Sequence, residues 1–178
     1  MLPQQSRDRE ILDSQMVPHG TQGAALVFTA ITVDHGISLV NVILLKNDDI
    51  PALWEHIEHL LKYALDKSKW SDRYPIETLY NDLISDDLQC WIVTNENLIK
   101  GVAVTQDIEY PLGKSLLVFF LGGEDMICWA DELHKQFVSH AKSNCYKWID
   151  ACARPGLGKK YLNRLGFLEL NNHYCYEV

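Results

Sequence analysis

Three carboxylates occupy segments of the chain whose other residues favour β-strands. Asp150 interrupts the apolar run at residues 146–151, and Asp107 and Glu109 stand at the end of another β-prone run. A carboxylate in an apolar strand must be paired or protonated, and either condition shifts its pKa. Arg154 follows Asp150 by four residues and offers a counter-ion. Two interpretations of Asp150 stay open, a structural ion pair and a catalytic carboxylate.

Two adjacent glycines, Gly122 and Gly123, follow the most apolar run of the sequence, and Glu124 and Asp125 come directly after them. Glycines let a backbone approach a ligand closely, and the N–H groups at a helix N-terminus attract anions. The same residues also suit a plain turn, in which the two carboxylates cap the next helix and complement its dipole. The sequence supports the anion cradle and the helix cap equally.

A metal site is not predicted. His56 and His59 have a spacing that suits a metal on a helix, but the apolar stripe through Trp54, Ile57 and Leu61 predicts that both histidines face solvent. The chain also lacks H-E-x-x-H, G-x-x-x-x-G-K-S/T, G-x-S-x-G and G-x-G-x-x-G, so zinc-protease, P-loop, α/β-hydrolase and Rossmann chemistry lack their minimal residues.

Composition excludes several other classes of protein. The chain has 178 residues, of which 47% are hydrophobic and 22% charged, as in a folded single domain. Its net charge of -8 argues against a nucleic-acid partner. No apolar run reaches the ~20 residues that cross a membrane, and the first residues do not form a secretory signal. We therefore expect a cytoplasmic protein without a membrane or nucleic-acid partner.

The cysteines and tryptophans are predicted to be packing residues. The five cysteines form no C-x-x-C pair and are expected to be small core residues. They are Cys90, Cys128, Cys145, Cys152 and Cys175. The tryptophans also fall mostly at core-facing positions. Trp70 is the exception, because it lies in a polar loop with Lys69, Arg73 and Tyr74.

The elements that position these residues follow from hydrophobic periodicity. Strands are predicted at residues 37–45, 88–94, 100–108, 115–121, 146–151, 167–170 and 173–178, and helices at residues 50–66, after Pro75, at residues 124–143 and after Pro155. The turn Asn95-Glu96-Asn97 predicts a hairpin, and the helix after Gly123 requires one parallel pairing. The fold class is α/β, with a mixed, mostly antiparallel sheet of about six to seven strands and four helices. Residues 1–36 are predicted to be an N-terminal appendage, either an extra strand or a flexible arm.

This order of elements, together with the closing run KYLNRLGF at residues 160–167, resembles the GNAT superfamily of acyl-CoA N-acyltransferases over residues ~37–178. The resemblance implies transfer of an acetyl group from acetyl-CoA to a small-molecule or protein amine by direct attack of the amine. Residues 153–156 are similar to a variant found in GNAT-like proteins encoded by bacteriophages.

The resemblance also implies roles for individual residues. Asp150 is then a candidate catalytic base and Tyr161 a candidate acid for the leaving thiolate. Trp70, Asp107 and Glu109 border the acceptor amine. The cofactor-binding residues implied for acetyl-CoA are Phe120, Leu121, Gly122, Gly123, Glu124, Asp125 and Gly158.

The sequence departs from the family pattern at three places, one of which is Pro155, where the family often has an asparagine. The turn in the family usually reads Arg or Gln, two spacers, Gly, one spacer, and then Gly or Ala. In this chain, Glu124 and Asp125 follow the two glycines instead. At ~5 Å from a pyrophosphate, each of these carboxylates would repel it by roughly 1 kcal/mol. The family tyrosine lies four residues before the closing Gly166, a slot held by Leu162, and Tyr161 is one position away. These departures favour an alternative, a catalytically inactive GNAT-fold protein that binds a partner. Both a homodimer and a virion partner are compatible with that alternative.

Overall fold

The computed structural model of the chain describes residues 40–68, 71–153 and 155–170. The predicted appendage at residues 1–36, Trp70, Arg154 and the predicted strand at residues 173–178 lie outside the described residues. No helix in the described ranges combines the length and the apolar character needed to cross a membrane.

The described residues form five strands and four helices. The strands are β1 (Val40–Leu44), β2 (Gln89–Asn95), β3 (Leu98–Tyr110), β4 (Gly113–Gly123) and β5 (Trp148–Ala151), and the helices are α1 (Ile50–Ser68), α2 (Ile76–Ile84), α3 (Ala130–Ser143) and the single turn α4 (Pro155–Leu157). Short 3₁₀ turns at Asn47–Asp49 and Met126–Cys128 precede α1 and α3, and Gly158–Leu162 continues α4 as a π-helical turn. The predicted α/β fold class is confirmed.

The sheet has the strand order β1-β2-β3-β4-β5, so every strand lies beside its neighbour in sequence. The first three pairings are antiparallel and the β4–β5 pairing is parallel. The parallel pairing follows from α3, because a helical connection returns the chain to the starting end of the sheet. The predicted mixed, mostly antiparallel sheet is therefore confirmed.

The predicted hairpin is also confirmed. β2 and β3 are joined by Glu96 and Asn97, whose φ angles are 51° and 64°. A two-residue turn with both φ angles positive matches the twist of an antiparallel pair, and Asn tolerates this conformation well.

One face of the sheet, which we call the α1 face, packs against α1 and α2. Ile57, Leu61 and Leu65 recur at helical spacing on α1 and are buried against Val102 and Val104 of β3. This spacing places one apolar stripe toward the sheet and leaves His56 and His59 exposed, as the sequence predicts.

The opposite face, which we call the α3 face, packs against α3. Leu133 and Phe137 of α3 are buried with Trp91 and Ala103 of the sheet, and Trp129 precedes the helix in the same cluster. Side chains alternate between the two faces along each strand, so neighbouring residues such as Trp91 and Ile92 belong to different cores.

Three predicted elements differ from the structure: one in its start, one in its presence and one in its helix type. The helix predicted from residue 124 begins as a 3₁₀ turn and becomes α-helical only at Ala130, because Asp125 has a left-handed φ of 48° that an α-helix does not accept. Residues 167–170 are not a strand. The helix after Pro155 changes to π-helical geometry at Gly158, a change that hydrophobic spacing alone does not indicate.

The prediction for the cysteines is correct only for Cys90, which is buried in β2. Cys128, Cys145 and Cys152 are exposed, because they lie in the turns before and after α3 and beyond the end of β5. Cys175 lies outside the described residues.

Trp148 was also predicted to pack in the core, but it is 39% exposed on β5.

Candidate functional site

A fork opens between β4 and β5. The two strands pair from Ser115 with Trp148 to Val118 with Ala151, and the Cys152 N–H then donates to the Val118 carbonyl at 3.2 Å. β5 ends there, whereas β4 continues to Gly123. The two neighbouring strands therefore separate at the middle of β4.

A β-bulge lies at the same point of β4. Val104 pairs with Phe120 and Thr105 pairs with Val118, so Phe119 is an extra residue in β4. Val118 packs in the core on the α3 face, but both Phe119 and Phe120 pack on the α1 face. A bulge has this effect because the added residue interrupts the alternation of side chains. The bulge therefore turns two consecutive aromatic rings to one side of the fork.

Tyr74, from the loop between α1 and α2, covers these two rings. Its ring centroid lies 5.5 Å from that of Phe119 and 5.7 Å from that of Phe120. Its hydroxyl donates a short hydrogen bond to a carboxylate oxygen of Asp82 on α2. Burial, and then this hydrogen bond to Asp82, raise the pKa of Tyr74 well above its usual value. Sequence reasoning missed this role of Tyr74, since a contact across eight residues leaves no local signal.

The two glycines at the end of β4 are both required by close packing. A Cβ on Gly122 would lie 2.4 Å from the Leu60 carbonyl oxygen of α1. Gly123 has a φ of 150°, and a Cβ there would lie 2.5 Å from the Lys100 carbonyl oxygen. Gly122 therefore lets α1 approach the sheet, and Gly123 lets β3 and β4 meet.

The turn after Gly123 is held by the backbone of β3 and by Trp129. The Glu124 N–H donates to the Lys100 carbonyl at 2.9 Å, and the Trp129 Nε1–H donates to the Glu124 carbonyl at 2.7 Å. Asp125 precedes the 3₁₀ turn but its side chain forms no capping hydrogen bond. The predicted side-chain cap at Asp125 is therefore wrong, and one N–H of the predicted anion cradle already has a backbone acceptor.

One lysine lies beside this turn, although no cation lies near it in sequence. Lys100 and Asp125 line a small cavity of about 70 Å³ together with Asn95, Cys128 and Trp129. Lys100 is an extra residue in β3, since Val93 pairs with Gly101 and Thr94 pairs with Ile99.

Asp150 lies on the α1 face, next to the fork. Its neighbours Ile149 and Ala151 pack toward the α3 face, so its own side chain points to the other side. The buried Ser115 hydroxyl donates to Asp150 Oδ2 at 2.8 Å, and the Tyr110 hydroxyl donates to the same atom at 3.3 Å. The predicted counter-ion, Arg154, lies outside the described residues.

Asp107 and Glu109 do not join Asp150. Asp107 lies on the α3 face, where its Oδ1 accepts from the Tyr146 hydroxyl at 2.5 Å and from Gln89 at 3.2 Å. Burial, and then the hydrogen bond to Asp107, raise the pKa of Tyr146 to about 12. Glu109 is exposed in the register position opposite Lys114. The three carboxylates that the sequence places in strands are thus divided between the two faces.

The π-helical turn after α4 carries the two remaining site candidates. Tyr161 is half-buried and lines an open pocket of about 320 Å³ with Gly156, Leu157 and Lys160, and Gly158 begins the turn. The Lys160 Nζ lies 5.2 Å from the centre of the Tyr161 ring. Within the described ranges, no group of three or more His, Cys, Asp or Glu side chains is arranged to hold a metal.

Comparisons with known proteins bear on the architecture. No protein-family model and no curated protein matches the sequence. Solved structures do match the fold. The aminoglycoside N-acetyltransferase AAC(6')-Iy in complex with CoA has a TM-score of 0.59 and 15% identity, and the match covers 83% of this chain and 99% of that protein. This chain has the GNAT fold.

Two other solved structures share the GNAT fold with this chain. A predicted acetyltransferase with acetyl-CoA from Clostridium acetobutylicum has a TM-score of 0.58 and 19% identity, covering 78% of this chain and 96% of that one. The ribosomal-protein-alanine N-acetyltransferase from Brucella melitensis biovar Abortus 2308 has a TM-score of 0.60 and 14% identity, covering 79% and 99%. The resemblance found in the order of elements is confirmed at the level of the fold.

Proposed function

We propose that the protein is an N-acyltransferase that moves an acetyl group from acetyl-CoA to an amine by direct attack. The observation that carries this proposal is the coincidence of the fork with the bulge at Phe119. Beyond Ala151 no described strand pairs with this edge of β4, so its backbone is open to an extended ligand. Acetyltransferases crystallised with CoA or acetyl-CoA share this fold, which supports binding of the cofactor at the fork.

The fork suits the pantetheine arm of acetyl-CoA, because a narrow extended chain with amide groups resembles a β-strand in width and polarity. Acetyl-CoA, when bound, supplies an activated acetyl thioester. Phe120 and Leu121 then line the β4 side of the arm, and Gly158 lies at the start of the π-helical turn that follows β5. Phe119 and Tyr74 close the α1 face above the fork and keep water from the thioester.

The turn from Gly122 to Asp125 would hold the pyrophosphate under an electrostatic penalty. Glu124 and Asp125 are both exposed, and Lys100 lines the same small cavity as Asp125. Each carboxylate at ~5 Å from a phosphate costs roughly 1 kcal/mol in water-like surroundings. We therefore expect affinity for acetyl-CoA to be limited by these two side chains.

Asp150 is the proposed residue that attracts the acceptor and takes its proton. It lies on the same face as Phe119 and one residue before the last β4–β5 pair. An ammonium ion must lose a proton before its nitrogen attacks, and a carboxylate beside the fork provides an acceptor for that proton. The hydrogen bonds from Ser115 and Tyr110 hold the carboxylate in place.

Tyr161 is the proposed acid for the leaving sulfur. The Phe167 N–H donates to the Leu162 carbonyl and the Gly166 N–H to the Asn163 carbonyl, which are the hydrogen bonds of a Schellman motif that ends the helical segment at Gly166. The Leu165 N–H donates to the Tyr161 carbonyl four residues back, so the π-helical turn ends before Gly166 and Tyr161 stays one position from the slot of the family tyrosine. What supports this role is the ring of Tyr161, which lines the open pocket beside Gly156 and Leu157.

Calorimetric titration with acetyl-CoA, followed by an assay of thiol release with a panel of amines, tests the proposal. We expect binding, transfer to at least one amine, and tighter binding by the double variant Glu124→Gln, Asp125→Asn. Glu55→Gln, Asp66→Asn is the matched control, since it removes two exposed carboxylates of α1 and changes the net charge equally. Absence of binding and transfer at millimolar acetyl-CoA would overturn the proposal and favour a GNAT-fold binding protein.

A further inference from the structure

We propose that Tyr110 and Trp148, together with Asp150, form a subsite that binds a second, non-reacting ammonium group of the acceptor. The acceptor class is therefore a diamine or polyamine. This inference rests on the proposed acyltransferase function, because it assumes that a first amine reacts at the fork.

Two exposed aromatic rings form the walls of this subsite. The ring centroids of Tyr110 and Trp148 are 5.9 Å apart and their planes meet at 85°. Tyr110 is 46% exposed and Trp148 is 39% exposed, although both stand on strands of the sheet. In this edge-to-face contact only one ring face is covered by the partner ring, and an ammonium ion is attracted to the aromatic faces that stay exposed.

Asp150 supplies the negative charge beside the rings. Both of its hydroxyl donors bind the same oxygen, Oδ2. One of them, Ser115, lies two residues before Leu117, the register partner of Asp150. These bonds hold Oδ2 on the side of Tyr110, and Asp150 itself lies between Trp148 and the fork along β5, so its charge attracts both ammonium groups of a diamine. Among the described residues, no lysine, arginine or histidine forms an ion pair with it.

A cation of the chain itself already uses one of these rings. The Lys147 Nζ lies 4.8 Å from the centre of the Trp148 ring and donates to the Leu112 carbonyl at 3.4 Å. This contact shows that the environment of Trp148 accepts an ammonium group. It also means that Lys147 opposes a bound cation by charge repulsion, so its removal is expected to strengthen binding.

The spacing along β5 sets the length of the acceptor. Trp148 precedes Ala151, the last paired residue before the fork, by three residues. At about 3.3 Å per residue, the aromatic subsite lies about 10 Å from the fork. A linear acceptor should therefore bind best when its two nitrogens are separated by about this distance.

Calorimetric titration with monoaminoalkanes and α,ω-diaminoalkanes of increasing length tests the subsite without acetyl-CoA. We expect the diamines to bind about tenfold more tightly than monoamines of equal length, with an optimum near 10 Å between the nitrogens. Trp148→Leu and Tyr110→Leu should each remove most of this preference, and Lys147→Gln should increase it. Tyr63→Leu is the control, because Tyr63 is an exposed tyrosine of α1 with Lys67 over its ring.

The outcomes separate this inference from the proposed function. Equal affinity for monoamines and diamines, or a diamine preference that survives both aromatic substitutions, would overturn the subsite even if acetyl transfer is observed. A diamine preference lost in Trp148→Leu and raised in Lys147→Gln would support the subsite even if no transfer is detected. In the active protein, Trp148→Leu should raise the KM for the diamine more than it changes kcat.

Discussion

Asp107 and Asp150 lie on opposite faces of one sheet. Asp107 accepts hydrogen bonds from Tyr146 and Gln89 on the α3 face, whereas Asp150 accepts from Ser115 on the α1 face. The two carboxylates therefore cannot act on one acceptor molecule from the same side. This relationship separates Asp150, the proposed site residue, from Asp107, which links β3 to Gln89 of β2 and to Tyr146 after α3.

Gly122→Ala should destabilise the protein by about 1–3 kcal/mol, because the added methyl group would overlap the Leu60 carbonyl oxygen and push α1 from the sheet. Urea unfolding measures the free energy of unfolding. Gly156→Ala is the control, since its Cβ would meet no atom within 4 Å. Equal stability of the Gly122→Ala variant and wild type would contradict the close packing of α1.

Trp129→Phe should destabilise the protein by about 1–3 kcal/mol, because it removes both the hydrogen bond to the Glu124 carbonyl and part of a ring that is only 2% exposed. The melting temperature measured by calorimetry is expected to fall. Trp54→Phe serves for comparison, as Trp54 is half-buried and its ring contact with Tyr80 can persist. A larger loss in Trp54→Phe than in Trp129→Phe would argue against this account of the turn.

Alkylation at pH 8 should distinguish the cysteines. Burial raises the pKa of the Cys90 thiol to about 12, so its reactive thiolate is scarce and shielded. Peptide mapping after iodoacetamide treatment should find Cys128 and Cys145 modified first and Cys90 modified only in denaturant. Rapid modification of Cys90 in the folded protein would show that β2 opens to solvent and would contradict its burial.

Acidification should destabilise the protein through His140. Burial lowers the pKa of His140 below its usual 6.5, so the unfolded chain binds the proton more readily. The contribution of neutral His140 to the free energy of unfolding is complete above about pH 6.5 and is lost as the pH falls below that value. Unfolding free energies at pH 7.5 and 5.5 should differ less in His140→Gln than in wild type. His56→Gln, an exposed α1 variant, should keep the wild-type difference.

The order of elements was predictable because it depends on local signals. The apolar stripe of α1, the Asn95-Glu96-Asn97 turn and the two glycines that end β4 each mark a boundary within a few residues of sequence. The parallel β4–β5 pairing then follows from the helix between these strands. The start of α3 was misplaced because the left-handed backbone at Asp125 depends on the contacts of the turn.

The candidate site was only partly predictable, because its main features are long-range. The bulge at Phe119 is a difference in register between β3 and β4, and neither strand reveals it alone. The contacts of Tyr74 with Phe119 and of Tyr110 with Asp150 join segments that are far apart in sequence. Trp148 was assigned to the core because an aromatic residue in a strand is usually buried, and its exposure became evident only from its neighbours.

Gly101 and Trp129 form one steric unit across two strands and a turn. A Cβ on Gly101 would lie 2.7 Å from the Trp129 ring, which fills the space that the glycine leaves. Gly101 therefore cannot take a side chain unless the Trp129 ring moves or is replaced by a smaller one. Among related sequences, the two positions should therefore covary, with a larger residue at position 101 only where position 129 carries a smaller ring or none.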